Sequence, residues 1–316
     1  MKAERGMNME HTIENGRYKS ADGIHSIFYE IVIPSGEPKA IVQISHGMCE
    51  YFGRYRDFAE FLADNGFIVC GNDHLGHGSS VESDDELGYF SENDGWQNAV
   101  KDLHSLTKLM KRRYRGLPYF LFGHSMGSFL ARAYAFNYAD ELTAAVFCGT
   151  SGGVVGIDGL IDVVNAVRRT HGEMYRSDRI HQLAFGTYNR RVENSTSEHD
   201  WISRDKETIE KYAGDKKCTF NFTVNGYRNL LGVLQYVSSK KWYDGYKKTL
   251  PTYIISGDGD PVGSYGKGPY KVFSLLSKRK NDVRLRLYSG ARHELLNELN
   301  RQEVYSDLLA FFEYHI

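Results

Sequence analysis

Apolar positions along this chain fall into two rhythms. Short, densely apolar runs occur at 27–33, 39–45, 67–71, 119–122, Ala144–Cys148, 252–256 and Val283–Tyr288, and runs of that length and β-branched content predict buried strands. Longer stretches between them, at 55–65, 96–114, Met126–Tyr138 and 303–314, carry the helical rhythm. In 96–114, for instance, Val100, Leu103, Leu106, Leu109 and Met110 recur at helical spacing and make one apolar stripe. Strand alternating with helix predicts an α/β fold, a mostly parallel central sheet flanked by helices.

The alternation lapses once. About a hundred residues separate Cys148 from Thr252, far more than the roughly 2–6 of a simple connection. That stretch has helix-like segments at 159–169, 206–212 and 227–237, and aromatics including Phe185, Tyr188, Trp201, Phe220, Phe222, Tyr227 and Trp242. It predicts an inserted helical cap over residues 151–245, with 1–150 and 246–316 forming the core. The aromatics fit either the cap's own core or the lining of an apolar acyl pocket.

Composition narrows the function classes. The 316 residues are 41% apolar, enough for a sizeable core, and no run approaches the roughly 20 residues of a membrane span. A formal net charge of −1 provides no bulk field for nucleic acid. Residues 1–10 are polar and mixed in charge, without the apolar core of a secretory signal. Cys49, Cys70, Cys148 and Cys218 form no C-x-x-C pair, and Cys70 and Cys148 sit inside strand-like runs. This usage predicts a reducing cytoplasm.

Gly123-His124-Ser125-Met126-Gly127 fits G-x-S-x-G, the turn that lifts a nucleophilic serine above a sheet between a strand and a helix. The pattern is short, and a second match stands at Gly149-Thr150-Ser151-Gly152-Gly153. Ser125 lies between an apolar strand and an immediate helix start. Ser151 is followed by Gly-Gly-Val-Val-Gly, which reads as loop. Ser125 is therefore the expected nucleophile.

A serine hydroxyl needs a base, and the base an orienting carboxylate, in the chain order Ser, Asp or Glu, His. The loop after strand 252–256 carries Asp258 and Asp260, and the loop after Val283–Tyr288 carries His293. Asp260 is preferred because Pro261 fixes the chain beyond it, while Asp258 reads as a turn former. His46-Gly47-Met48 follows another strand, so the backbone amides of Met48 and Met126 are the expected oxyanion donors. Asp73, His74 and His77 lie close together in a glycine-rich loop and read as structural. No metal and no cofactor is expected.

The runs His46-Gly47-Met48-Cys49-Glu50 with Arg54-Tyr55, Asn72-Asp73-His74-Leu75-Gly76-His77-Gly78-Ser79-Ser80 and Gly-His-Ser-Met-Gly resemble the monoacylglycerol lipase and lysophospholipase group of α/β-hydrolase-fold serine hydrolases. Asp200-Trp201-Ile202-Ser203-Arg204-Asp205 and the stretch 290–298 resemble bacterial lysophospholipase-like members, and the likeness extends from about Arg17 to Phe312. It implies an ester hydrolase with a mobile cap and no cofactor, a triad of Ser125, Asp260 and His293, and oxyanion amides at Met48 and Met126. Cys49 departs from the residue expected there and bears on the pocket rim. The expected partner is a small-molecule or lipid ester with a single acyl chain, with transient contact at a membrane surface. The same triad serves amide or thioester cleavage or acyl transfer, and a catalytically dead ligand-binding protein is the remaining reading.

Overall fold

The computed structural model describes residues 11–316. The polar stretch 1–10, read above as lacking a secretory signal, lies outside the described residues. Eight strands form one sheet: β1 (Thr12–Lys19), β2 (Ser26–Ile33), β3 (Ala40–Ser45), β4 (Phe67–Asn72), β5 (Tyr119–His124), β6 (Ala144–Cys148), β7 (Thr252–Gly257) and β8 (Val283–Tyr288). Their order is β1-β2-β4-β3-β5-β6-β7-β8. The pairs β1–β2 and β2–β4 are antiparallel, and every pairing from β4 to β8 is parallel.

Period-two alternation splits the central strands between two apolar layers. Val42, Ile44, Phe120, Phe122 and Val146 face the layer built with helices α1 (Arg56–Asp64) and, later in the chain, Arg301–Tyr314. Ile41, Ile68 and Tyr119 face Leu106 and Met110 of α2 (Gly95–Arg113). Leu121, Ala145 and Phe147 pack with α3 (Met126–Tyr138). One polar residue, Gln43, is buried in the second layer. Its amide donates to the Leu103 carbonyl (2.9 Å), and its oxygen accepts from Thr107 Oγ1 (2.8 Å), so burying it leaves no polar atom bare.

Every strand expected from the sequence is present, and β1 is an addition. Its sequence, TIENGRYK, alternates exposed with half-buried positions as an edge strand does. The chain between β6 and β7 forms α4 (Ile157–His171), α5 (Asp178–Phe185), α6 (Lys206–Gly214), α7 (Val224–Val237) and α8 (Lys240–Gly245). Helix α9 (Lys267–Ser277) joins β7 to β8, and α10 is Arg301–Tyr314. The α7 and α8 end of the long connection is fastened to α3. The buried Arg132 donates to the carbonyls of Val237 (2.6 Å) and Ser151 (2.8 Å), and the Trp242 indole donates to the Arg132 carbonyl (2.9 Å). No helix among the described residues is long and apolar enough to cross a membrane.

Candidate active site

Ser125 sits between the last residue of β5 and the first of α3, at φ 51° and ψ −123°. A non-glycine residue at positive φ carries strain of about 1–3 kcal/mol, held here by packing on both sides. A Cβ on Gly127 would lie 2.0 Å from the Ser45 carbonyl oxygen and 2.3 Å from that of His46. A Cβ on Gly123 would lie 2.5 Å from the Gly127 oxygen and 2.6 Å from Ala131 Cβ. Both glycines are thus required by backbone-to-backbone approach. The turn is pinned further by Ser125 N–H donating to the Cys148 carbonyl at 3.0 Å. Met126, the first residue of α3, borders the same cavity as Ser125, a place where a helix N-terminus favours negative charge.

Ser151 follows β6, but the next helix starts only at Ile157. Its hydroxyl oxygen accepts the Gly153 amide (3.2 Å), and its carbonyl accepts Arg132, which makes it a tied loop residue on the cavity wall.

The two aspartates of the β7 loop part company. Asp258 is exposed, and its carboxylate accepts the Gly290 amide at 2.7 Å, bracing one loop against the next. Asp260 is wholly buried, with Oδ1 lying 3.0 Å from Nδ1 of His293. The approach is oblique, so the contact is close without being a well-aligned hydrogen bond. Asp260 also accepts the Val262 amide (2.8 Å) and the Ser256 hydroxyl (3.3 Å), which fix its orientation. His293 is buried with its ring 5.1 Å from that of Trp201 and 4.7 Å from that of His124. Its loop is held by Glu298, which accepts the Arg292 amide (2.8 Å) and the Arg204 guanidinium (2.9 Å).

Ser125, His293, Met48 and Met126 all border one cavity of about 480 Å3. Much of its wall is apolar and comes from the long connection: Leu160, Val163 and Val164 of α4, Ile180 and Leu183 of α5, and Leu230, Leu231 and Leu234 of α7. The aromatics of that segment divide. Phe185, Tyr188, Trp201, Phe220 and Tyr227 reach the cavity, whereas Phe222 and Trp242 are fully buried outside its lining. Polar groups also reach it, among them Asn189, Glu198 and His199. Cys49 lies at the edge with φ 53°, and its thiol donates to the Phe220 carbonyl at 3.2 Å.

The Asp73, His74 and His77 loop is internally bonded. The Asp73 carboxylate accepts the amides of Phe52 (2.9 Å) and Ser79 (2.6 Å), and burial pushes its carboxyl up to about 6. Burial pulls His74 down to about 3 and His77 down to about 4, so both rings are neutral. Among the described residues no group of three or more His, Cys, Asp or Glu side chains is arranged to hold a metal ion.

Sequence reasoning missed a buried charged cluster behind the serine. Glu50 is 3% exposed and accepts from His124 Nδ1 (2.8 Å), the Tyr55 hydroxyl (2.7 Å) and the Gly47 amide. Arg54 lies 3.4 Å from Glu50 and binds Glu294 through two parallel bonds of 2.6 and 2.8 Å. Burial opposes charge on Glu50, yet the His124 ring, Arg54 and the Tyr55 hydroxyl override it and hold the carboxyl well below its usual range. Burial likewise opposes a charged His124, and the Glu50 carboxylate raises it. The available signal was Glu50 and Arg54 four residues apart, which in isolation reads as a surface pair.

Comparison with known proteins agrees with this architecture. The family described as serine aminopeptidase, S33 matches residues 36–300. A monoacylglycerol lipase from Mycolicibacterium smegmatis is 29% identical over 291 residues, 92% of this chain and 94% of that protein. A thermostable carboxyl esterase from Bacillus coagulans, solved with glycerol, superposes with a TM-score of 0.90 at 29% identity, covering 96% of this chain and 98% of the other. A monoglyceride lipase from Saccharomyces cerevisiae, at a TM-score of 0.78 and 18% identity over 99% of both chains, shares the fold. The chain is a carboxylic ester hydrolase of the α/β-hydrolase fold and belongs to the serine aminopeptidase, S33 family of hydrolases.

Proposed function

We propose that this enzyme hydrolyses esters bearing a single acyl chain, of the monoacylglycerol or lysophospholipid type, through an acyl-enzyme on Ser125. His293 takes the hydroxyl proton as Ser125 Oγ bonds to the ester carbon, and Asp260 stabilises the imidazolium. The carbonyl oxygen gains charge facing the amides of Met48 and Met126. Collapse of the tetrahedral intermediate breaks the ester C–O bond, and His293 passes its proton to the departing alcohol. Water, deprotonated by His293, then releases the fatty acid by the same two steps.

The observation that carries this reading is the cavity. Ser125 and His293 border it, and α4, α5 and α7 give it leucine, isoleucine and valine side chains suited to an alkyl chain. Residues 151–245 act as a cap over the core. Val155 is wholly exposed and Leu183 66% exposed on that segment, which suits transient contact with a lipid surface. All four cysteines are free thiols, as in a reducing cytoplasm. The names of similar proteins, two lipases of monoacylglycerol and a carboxyl esterase, favour the ester reading. The family's description favours an amidase or peptidase as the second reading.

The test is kcat/KM over a homologous series of p-nitrophenyl esters and monoacylglycerols below their micellar concentrations, with aminoacyl anilides alongside. Each buried methylene adds about 0.8 kcal/mol, close to fourfold, until the cavity is filled. A maximum at acetate, or faster anilide than ester cleavage, would overturn the acyl-chain assignment.

A further inference from the structure

We propose that Glu50 and His124 form a positioning pair that keeps the oxyanion loop, the nucleophile turn and the base loop in register. The inference rests on the proposed roles of Ser125, His293 and Met48 and assigns these two residues a part in the same reaction.

The three loops come from the ends of β3, β5 and β8; β3 and β5 pair as far as Ser45 and Gly123, but β8 is separated from β5 by β6 and β7, so the ladder does not tie the base loop to the other two. One carboxylate bridges two of them. Glu50 accepts the Gly47 amide, next to Met48, and also Nδ1 of His124, next to Ser125. The far side of the same ring reaches the third loop, since Nε2 of His124 lies 3.3 Å from the His293 carbonyl oxygen. For both nitrogens to donate, the ring must be an imidazolium. Its charge is balanced within the cluster, where two carboxylates, Glu50 and Glu294, meet two cations, Arg54 and His124. A neutral His124 would leave one uncompensated negative charge buried beside an oxyanion that is itself about to form.

The packing is tight enough for the tie to be geometric. A Cβ on Gly47 would stand 2.5 Å from the Glu50 carboxylate, 3.0 Å from Ser125 Cβ and 3.3 Å from His124 Nδ1. The positive φ of Cys49 is the bend that brings Glu50 back over Gly47. His124 and Glu50 border the cavity beside Ser125 and His293, and the role proposed for them is to position those loops. They act through the His293 backbone and through Gly47.

The experiment uses the full chain and counts competent sites by titration with a fluorophosphonate, so that turnover is read per labelled serine. Mapping the wild-type adduct comes first. An adduct away from Ser125 would refute the nucleophile assignment, independently of the present proposal. With the adduct on Ser125, Glu50→Gln and His124→Gln should each lower kcat per titrated site about 100-fold, the scale of a small misplacement of reacting groups, with KM within about threefold. The double variant should be no worse than the poorer single within about threefold, because both remove one tie. Losses that multiply, or a kcat per site equal to wild type in either single variant, would overturn the pairing. Tyr55→Phe removes one hydrogen bond to Glu50 and changes no shape. It should lower kcat per site about three- to tenfold, and if Glu50→Gln yields no folded protein, unchanged turnover in both Tyr55→Phe and His124→Gln decides against the proposal.

Discussion

Residues 123–127 and 149–153 match the same five-residue pattern, and each follows a parallel strand of the same sheet. At the first, two glycines without room for a methyl group flank a serine at positive φ, Gly127 lies against the carbonyls of Ser45 and His46, and a helix starts at the residue after the serine. At the second, the glycines themselves take the positive φ, at Gly149 (58°) and Gly153 (96°), and Ser151 is relaxed and tied down by its own loop. The difference lies in where the strain sits. The first turn, the proposed nucleophile position, loads its conformational cost onto the serine, while the second leaves it to glycines that bear it freely.

The contrast is sharpest in turnover. Ser125→Ala should reduce ester hydrolysis by about 10⁴- to 10⁶-fold with the fold retained, and Ser151→Ala should leave it within about threefold, as measured by kcat against a p-nitrophenyl ester with circular dichroism in parallel. The reverse pattern would exchange the roles of the two turns. A similar contrast separates the carboxylates of the β7 loop. Asp260→Asn should lower kcat by up to about 10⁴-fold, because the amide neither stabilises an imidazolium nor fixes its tautomer. Asp258→Asn should cost about tenfold or less, having only the Gly290 amide to lose.

Stability gives the next test. Gly127→Ala puts a methyl group against two fixed carbonyls and should destabilise by about 3 kcal/mol, read from urea midpoints. Gly152→Ala meets Gly268 at 2.9 Å, at a φ open to alanine, and should cost about 1 kcal/mol. A last test is pH-dependent. His74 and His77 are depressed by burial to about 3 and 4, so the folded protein keeps them neutral while the unfolded chain protonates them below about 6.5. Their contribution is complete above pH 6.5 and is lost as pH falls, at about 1.4 kcal/mol per pH unit for each. Asp73 and Asp102, raised by burial to about 6, work in the opposite direction and offset the two histidines between about 4 and 6. His77→Phe should therefore become more stable relative to wild type as pH falls from 6.5 to 4.5, by about 1.4 kcal/mol per pH unit, in denaturant titrations at each pH.

The inner parallel strands were legible because burial on both faces writes them as unbroken apolar runs, and the edge strand β8 because Val-Arg-Leu-Arg-Leu-Tyr alternates; the Ser, Asp and His loops each follow one of these strands. Strand β1 was not legible. With Glu14, Asn15 and Gly16 at its centre it is an edge ribbon whose partner, β2, supplies the apolar half. Helix α9 was also missed, since it opens on Lys-Gly-Pro and shows few turns of apolar repeat. The Glu50 cluster lay beyond sequence reasoning for a different reason. Its members come from residues 47 to 55, 124 and 293 to 294, and charge complementarity across such separations exists only once the sheet has brought the loops together.

Helix α7 has two obligations. Val233 and Val237 turn inward to the common core, and Leu230 and Leu231 turn to the cavity. Selection can act on these two faces at different speeds. On the proposed acyl-chain reading, exchanges among aliphatic residues at 230 and 231 would alter the length and girth of the cavity available to that chain, while the inward stripe keeps the helix seated. On the same reading, single substitutions on the cavity face would retune the preferred chain length without touching the inward stripe that seats the helix.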